Sequence, residues 1–194
     1  MALVFVTSNE HKFEEVSAVL KEFDIDVVRR ELDFVEFSNQ SLREIALSKA
    51  RQAFEKFRTP LVVEDTGLYF GAYKNFPGTE PKRAFEALGF EGLLKLLEGK
   101  KRNACFKTVF CYIAGSDSHH FFEAEWHGTI AKKVTRPNAR GLPYNKIFIP
   151  KGLKKTAIEL PQKEKNAICQ RGIAARALGK WLKEKALDDL LESI

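Results

Sequence analysis

Leu3-Val4-Phe5-Val6-Thr7-Ser8-Asn9-Glu10-His11-Lys12 passes from an apolar run through a polar turn into the start of a helical pattern. The run Leu3 to Val6 reads as a buried strand, since it has no polar face to offer water and is bounded by turn residues. Beyond it Phe13, Val16, Val19, Leu20 and Phe23 recur at helical spacing. A strand, a loop and a helix therefore open the chain. Unpaired N–H groups at the helix start, together with the positive end of its dipole, make the loop a seat for an anion. Lys12 sharpens this, because a cation in the first turn opposes the dipole by a few tenths to about 1 kcal/mol and fits best beside an anion. The alternative is an ordinary capped helix in which Ser8 or Asn9 bonds the backbone and Lys12 faces solvent.

Working outward, a short strand is predicted around Asp26 to Val28. A second helix opens at Ser41, whose spacing to Glu44 is that of a capping box. Leu61-Val62-Val63 reads as a strand that stops at Glu64-Asp65-Thr66-Gly67. Thr79 to Leu97 is expected to be helical with breaks at Gly89 and Gly92. Residues 104–113 and 119–130 alternate as a hairpin around Gly115-Ser116-Asp117-Ser118. A loop over 136–145, a strand at Ile147-Phe148-Ile149 and a helical region over 163–193 complete the chain. The alternation of strands and helices predicts an α/β domain spanning 1–194, and it allows a second lobe around 100–150 and a central cleft.

With 194 residues, of which 44% are hydrophobic, the chain can bury a sizeable core. It contains no apolar run near the roughly 20 residues of a membrane span, and its first residues lack a basic leader, so a cytoplasmic protein is expected. Cys105, Cys111 and Cys169 form no CxxC pair, which predicts neither a disulfide scaffold nor a zinc site. The net charge of +6 is scattered among acids, so a solvated surface is expected rather than a stable nucleic-acid partner.

The acidic pair is the second chemical candidate. Two adjacent carboxylates are costly to hold close together unless a cation or proton separates them. Magnesium could supply that cation with carboxylate, phosphate and water oxygens, and a carboxylate there could take a proton from water; the bland alternative is an acidic turn. Glu36, without an evident capping task, is a further candidate metal ligand, while Glu44 is either a cap or a ligand. Lys165 and Arg171 are candidate contacts for a phosphate or a base carbonyl, while Lys49, a further cation near these acids, reads as a solvated side chain on a helix. His119 and His120 read as exposed, and Cys169 as a packed thiol.

In their order these segments resemble the inosine triphosphate pyrophosphatase family. VFVTSNEHKFEEV is similar to its phosphate loop, VVEDTGLYFGAYKNFPG to its second signature, and KIFIPKGLKKTAIELPQKEKNAICQRG to its third. The resemblance implies an elongated, two-lobed mixed sheet with flanking helices and a central nucleotide-binding cleft. It further implies a homodimer and magnesium-dependent hydrolysis of deaminated purine nucleoside triphosphates to the monophosphate and pyrophosphate. Thr7, Ser8, Asn9, Glu10, His11 and Lys12 would bind the triphosphate. Asp65 would be the general base and a metal ligand, with Glu36 as a second ligand and Glu64 in support. Thr66 and Lys49 would contact the nucleotide, and Tyr144, Asn145, Lys165, Gln170 and Arg171 would face the base.

Two departures fall in the base-recognition half. Leu142-Pro143-Tyr144-Asn145-Lys146 stands where the family usually has Phe-Gly-Tyr/Trp-Asp-Pro, and Cys169-Gln170-Arg171 where it has Ser-His-Arg. Asn and Gln each offer both a donor and an acceptor, so the pattern shown to a purine edge must differ. The alternatives that follow are a less selective pyrophosphatase, a nucleotide-binding protein without turnover, and a basic nucleic-acid-binding module.

Overall fold

The computed structural model describes residues 2–35, 40–115 and 118–191. In chain order it contains β1 (Ala2–Val6), α1 (Glu10–Leu20), β2 (Asp26–Arg30), α2 (Leu42–Phe57), β3 (Leu61–Phe70) and β4 (Pro77–Gly78). There follow α3 (Pro81–Leu96), β5 (Asn103–Gly115), β6 (Ser118–Ile130), β7 (Phe148–Pro150), α4 (Gln162–Ile168) and α5 (Gln170–Leu191). Among the described residues the strands form one seven-stranded mixed sheet in the order β2-β1-β3-β5-β6-β7, with β4 pairing to β3. The α/β class expected from the alternation is therefore the observed one. Ser116 and Asp117, at the centre of the expected hairpin turn, lie outside the described residues.

Contacts divide the chain into two compact units. The first comprises Met1–Asp65, Thr108–Ala124 and Arg171–Ile194. Its core is built by Leu3 and Phe5 of β1, Val16, Val19 and Leu20 of α1, Val62 of β3, Phe110 and Tyr112 of β5, and Ala174, Ala175 and Leu178 of α5. The alternate residues of each strand and the helical repeat of α1 thus meet on one apolar layer. The second unit comprises Thr66–Lys107 and Glu125–Gln170. Its core gathers Leu68, Phe70, Leu93, Phe106, Trp126, Ile147 and Phe148, with Phe106 and Phe148 edge to face at 4.8 Å.

Three elements differ from the sequence expectation. The strand predicted to stop at the acidic pair continues through it to Phe70, because its later residues pair antiparallel with β4, Leu68 opposite Gly78 and Tyr69 opposite Pro77. That pairing keeps the backbone satisfied after β1 has ended. Gly67 therefore serves close approach and not a bend: a Cβ there would lie 2.8 Å from the Gly78 carbonyl oxygen. In α3 the break falls only at Gly89, whose φ of 59° departs from the helix. The C-terminal region is two helices, separated where Cys169 adopts an extended conformation. Among the described residues no helix is long and apolar enough to cross a membrane.

Candidate active site

Within the first unit β1 pairs in parallel with both β2 and β3. The chain reaches β2 through α1 and then returns past β1 to β3 through α2. Right-handed crossovers place those two helices on opposite faces of the sheet. The carboxyl ends of β1 and β3 are consequently a topological switch point, the place where open α/β sheets bind ligands. Pairing of β1 with β3 ends at Val6 opposite Val63, so Thr7 and Glu64 are the first residues beyond it.

At the end of β1, Thr7 is buried and its Oγ1 accepts a hydrogen bond from Asn9 N at 3.1 Å. Asn9 caps α1, its Oδ1 accepting from Lys12 N at 3.1 Å. Asn9 is thus the cap, and Lys12 does not face solvent: its Nζ lies 2.6 Å from Glu64 Oε2. Ser8 and Glu10 are exposed at the same junction, and His11 Nδ1 lies 3.3 Å from Glu14 Oε2.

The acidic pair is separated by strand geometry. Consecutive strand residues point to opposite faces, so Glu64 meets Lys12 while Asp65 meets Lys49 of α2, with Nζ to Oδ1 at 2.9 Å. Glu64 also accepts from Thr108 Oγ1 at 3.3 Å and lies 3.2 Å from Arg171 Nη2. The same guanidinium reaches Glu15 Oε2 at 2.6 Å. Burial raises the Asp65 carboxyl above its ordinary value; Lys12 and Lys49 pull it back, and Glu64 adds to the rise. Asp65 therefore carries a desolvation cost that two lysines leave partly uncompensated, and its hard oxygens suit magnesium. Glu36 lies outside the described residues. Glu44 is a cap, its Oε2 accepting from Ser41 N at 2.8 Å.

Thr66, Tyr144, Asn145, Lys165 and Gln170 belong to the second unit. Tyr144 is buried against Phe85 and Phe106, its hydroxyl donating to the Pro81 carbonyl at 2.9 Å, and burial raises its ionisation range. Asn145, Lys165 and Gln170 are buried polar residues. Among the described residues Gln170 Oε1 has no hydrogen-bond partner, so it is an acceptor with capacity to spare. Sequence reasoning passed over Glu15 and Thr108. Glu15 interrupts the apolar stripe of Val16 and Val19 on α1, and an acid in such a stripe is the signal that could have found it.

The Ham1 family model matches residues 3–181. A protein of Hyperthermus butylicus named dITP/XTP pyrophosphatase is 37% identical over 183 residues, covering 94% of this chain and 95% of its own. A protein of the same name from Thermococcus kodakarensis is 36% identical, covering 95% of this chain and 98% of its own. The solved structure of a HAM1 protein from Coxiella burnetii superposes with a TM-score of 0.76 at 25% identity, covering 95% of this chain and 99% of that one. The family expected from the three sequence motifs is borne out: this chain belongs to the Ham1 family.

Proposed function

We propose that this chain hydrolyses deaminated purine nucleoside triphosphates to the monophosphate and pyrophosphate, in the presence of magnesium. The observation that carries the reading is the convergence of Lys12, Lys49, Glu64 and Asp65 at the switch point beside the amino end of α1. The naming of the relatives as dITP/XTP pyrophosphatases supports it. The amino end of α1 and the Lys12 ammonium hold phosphate oxygens, and Glu64, fixed by Arg171 and Thr108, holds Lys12 in position. Asp65 and Lys49 face the reacting phosphate. Asp65 orients a water for attack at the α-phosphorus and accepts its proton, for which a carboxylate raised by burial is suited. Magnesium would be held by Asp65, with Glu36 as a second ligand and Glu64 in support as the family resemblance implies, and would supply charge neutralisation at the phosphates.

Base recognition falls to Tyr144, Asn145, Lys165 and Gln170. Deaminated purines carry a ring N–H beside a carbonyl, a donor and acceptor pair that adenine inverts. The spare acceptor of Gln170 and the Lys165 ammonium match that pair. A homodimer in the cytoplasm accompanies the reading. The test is pyrophosphate release with magnesium from ITP, XTP, dITP, GTP, ATP, CTP and UTP. Preference for the deaminated purines is expected; broad turnover would keep the reaction and remove the selectivity, and silence throughout would overturn the reading in favour of nucleotide binding alone.

A further inference from the structure

Strands β5 and β6 are neighbours in the sheet. In the second unit their alternate residues present two opposed faces. Phe106 and Trp126 stack on the core side; the residues flanking them, Cys105 and Lys107 on β5 and Glu125 and His127 on β6, point the other way. Cys105 Sγ lies 3.7 Å from Glu125 Oε2 and 3.9 Å from His127 Nε2. Glu125 Oε2 and His127 Nε2 are 3.0 Å apart. Three ligand atoms of different chemistry thus form a closed triangle. Around a tetrahedral zinc ion, with a metal–sulfur distance of about 2.3 Å and metal–nitrogen or metal–oxygen distances of about 2.0–2.1 Å, neighbouring ligand atoms stand roughly 3.3–3.6 Å apart. Each side of the triangle is within a few tenths of an ångström of that edge.

We propose that Cys105, Glu125 and His127 form a binding site for zinc or a similarly thiophilic divalent cation, separate from the magnesium chemistry of the first unit. The second observation is the setting of the carboxylate. Lys107 Nζ lies 2.6 Å from Glu125 Oε1, which turns the other oxygen, Oε2, toward the sulfur and the imidazole, as outer partners of metal ligands do. The third is access. Cys105, Lys107 and His127 line a cavity of about 1000 Å³ together with Tyr69, Asn103 and Lys151. Glu125 and His127 keep side-chain exposures of 45% and 62%. A site with three protein ligands and an open fourth position accepts water or an exogenous ligand, unlike a closed structural zinc site. On binding, the Cys105 S–H proton is released to solvent and a sulfur–metal bond replaces it.

The absence of a CxxC pair predicted no zinc site because that rule searches along one segment. Here the ligands come from two strands, Cys105 alone on one and Glu125 and His127, spaced by two, on the other. Among the described residues this is the one cluster of its kind.

The experiment is titration of the reduced, metal-free protein with Co2+, zinc's spectroscopic stand-in. One equivalent per chain should produce a thiolate-to-cobalt band in the near ultraviolet and the strong visible bands of tetrahedral coordination; zinc should bleach them and excess Mg2+ should not. Cys105→Ser should lose the thiolate band while keeping its circular dichroism, and His127→Ala should weaken binding at least tenfold. Asp65→Asn should keep the band, which separates this site from the phosphate site. Absence of the band in the unmutated protein, or its survival in Cys105→Ser, would overturn the proposal.

Discussion

Replacing Arg171 by leucine should unfold the first unit far more readily than any loss of a surface charge. The Arg171 side chain is 4% exposed, and its partners Glu15 and Glu64 are 7% and 0% exposed. Removing one member of so buried an ion pair leaves carboxylate charge without its counter-ion in a medium that solvates it poorly, a loss of about 3–5 kcal/mol. For a chain of this size each kcal/mol moves the melting temperature by about 2–4 °C, so Tm should fall by roughly 6–20 °C. Thermal unfolding followed by circular dichroism at pH 7 measures this. Glu15→Leu combined with Arg171→Leu removes the charge together with one of its two partners, leaving Glu64 paired with Lys12, and should recover part of the loss, since apolar replacement of a buried pair is often neutral. A fall in Tm of less than about 3 °C in Arg171→Leu, by the same scale, would refute the reasoning, as would a double variant no better than the sum of its singles.

Asp65 makes a prediction of opposite sign. Its carboxyl is raised in the folded state, chiefly by burial, so the ionised form costs stability as pH rises from the unfolded value, about 3.9, through the higher folded one. Asp65→Asn should therefore melt at or above the unmutated protein at pH 8, with the difference vanishing in acid, while pyrophosphate release is abolished; a lower melting point at pH 8 would contradict the electrostatic account, and retained turnover would remove Asp65 from its proposed role. Phe110, with no exposed surface, should cost about 3–5 kcal/mol on truncation to alanine, read as a shift in urea midpoint at constant slope. Ser41→Ala removes the side-chain acceptor for Glu44 N and should cost about 1 kcal/mol, measured the same way. Lys12→Met should raise KM for the triphosphate more than it lowers kcat if Lys12 holds phosphate in the ground state.

The opening of the chain was legible because local signals agreed there: the apolar run, the Asn9 cap and the helical repeat of α1 each specify the same boundary. Ser41 and Glu44 were legible for the same reason. The course of β3 was not. Glu64-Asp65-Thr66-Gly67 has turn composition, yet the strand runs on through it to Leu68 and Tyr69, whose backbone partners in β4 lie eight to ten residues further along the sequence. Propensity cannot report a partner it does not see. In the candidate site, sequence named Lys12, Lys49, Glu64 and Asp65 but not who faces whom, since that depends on which side of the sheet each helix packs. Glu15, Thr108 and the Cys105, Glu125, His127 triangle depend on contacts between distant segments, for which a linear spacing rule has no term.

The alternation of Glu64 and Asp65 along β3 has a further consequence for how the site can change. Each acid finds its own lysine only because an odd step separates them on an extended strand, so the arrangement depends on counting parity rather than on side-chain identity alone. Substitution at Val63 alters packing, but a single residue inserted between Leu61 and Glu64 would hand each carboxylate to the opposite helix. Variation among such chains should therefore accumulate in the loops before and after this strand, and a library that inserts residues singly through it should find a gap there even where every point substitution is tolerated.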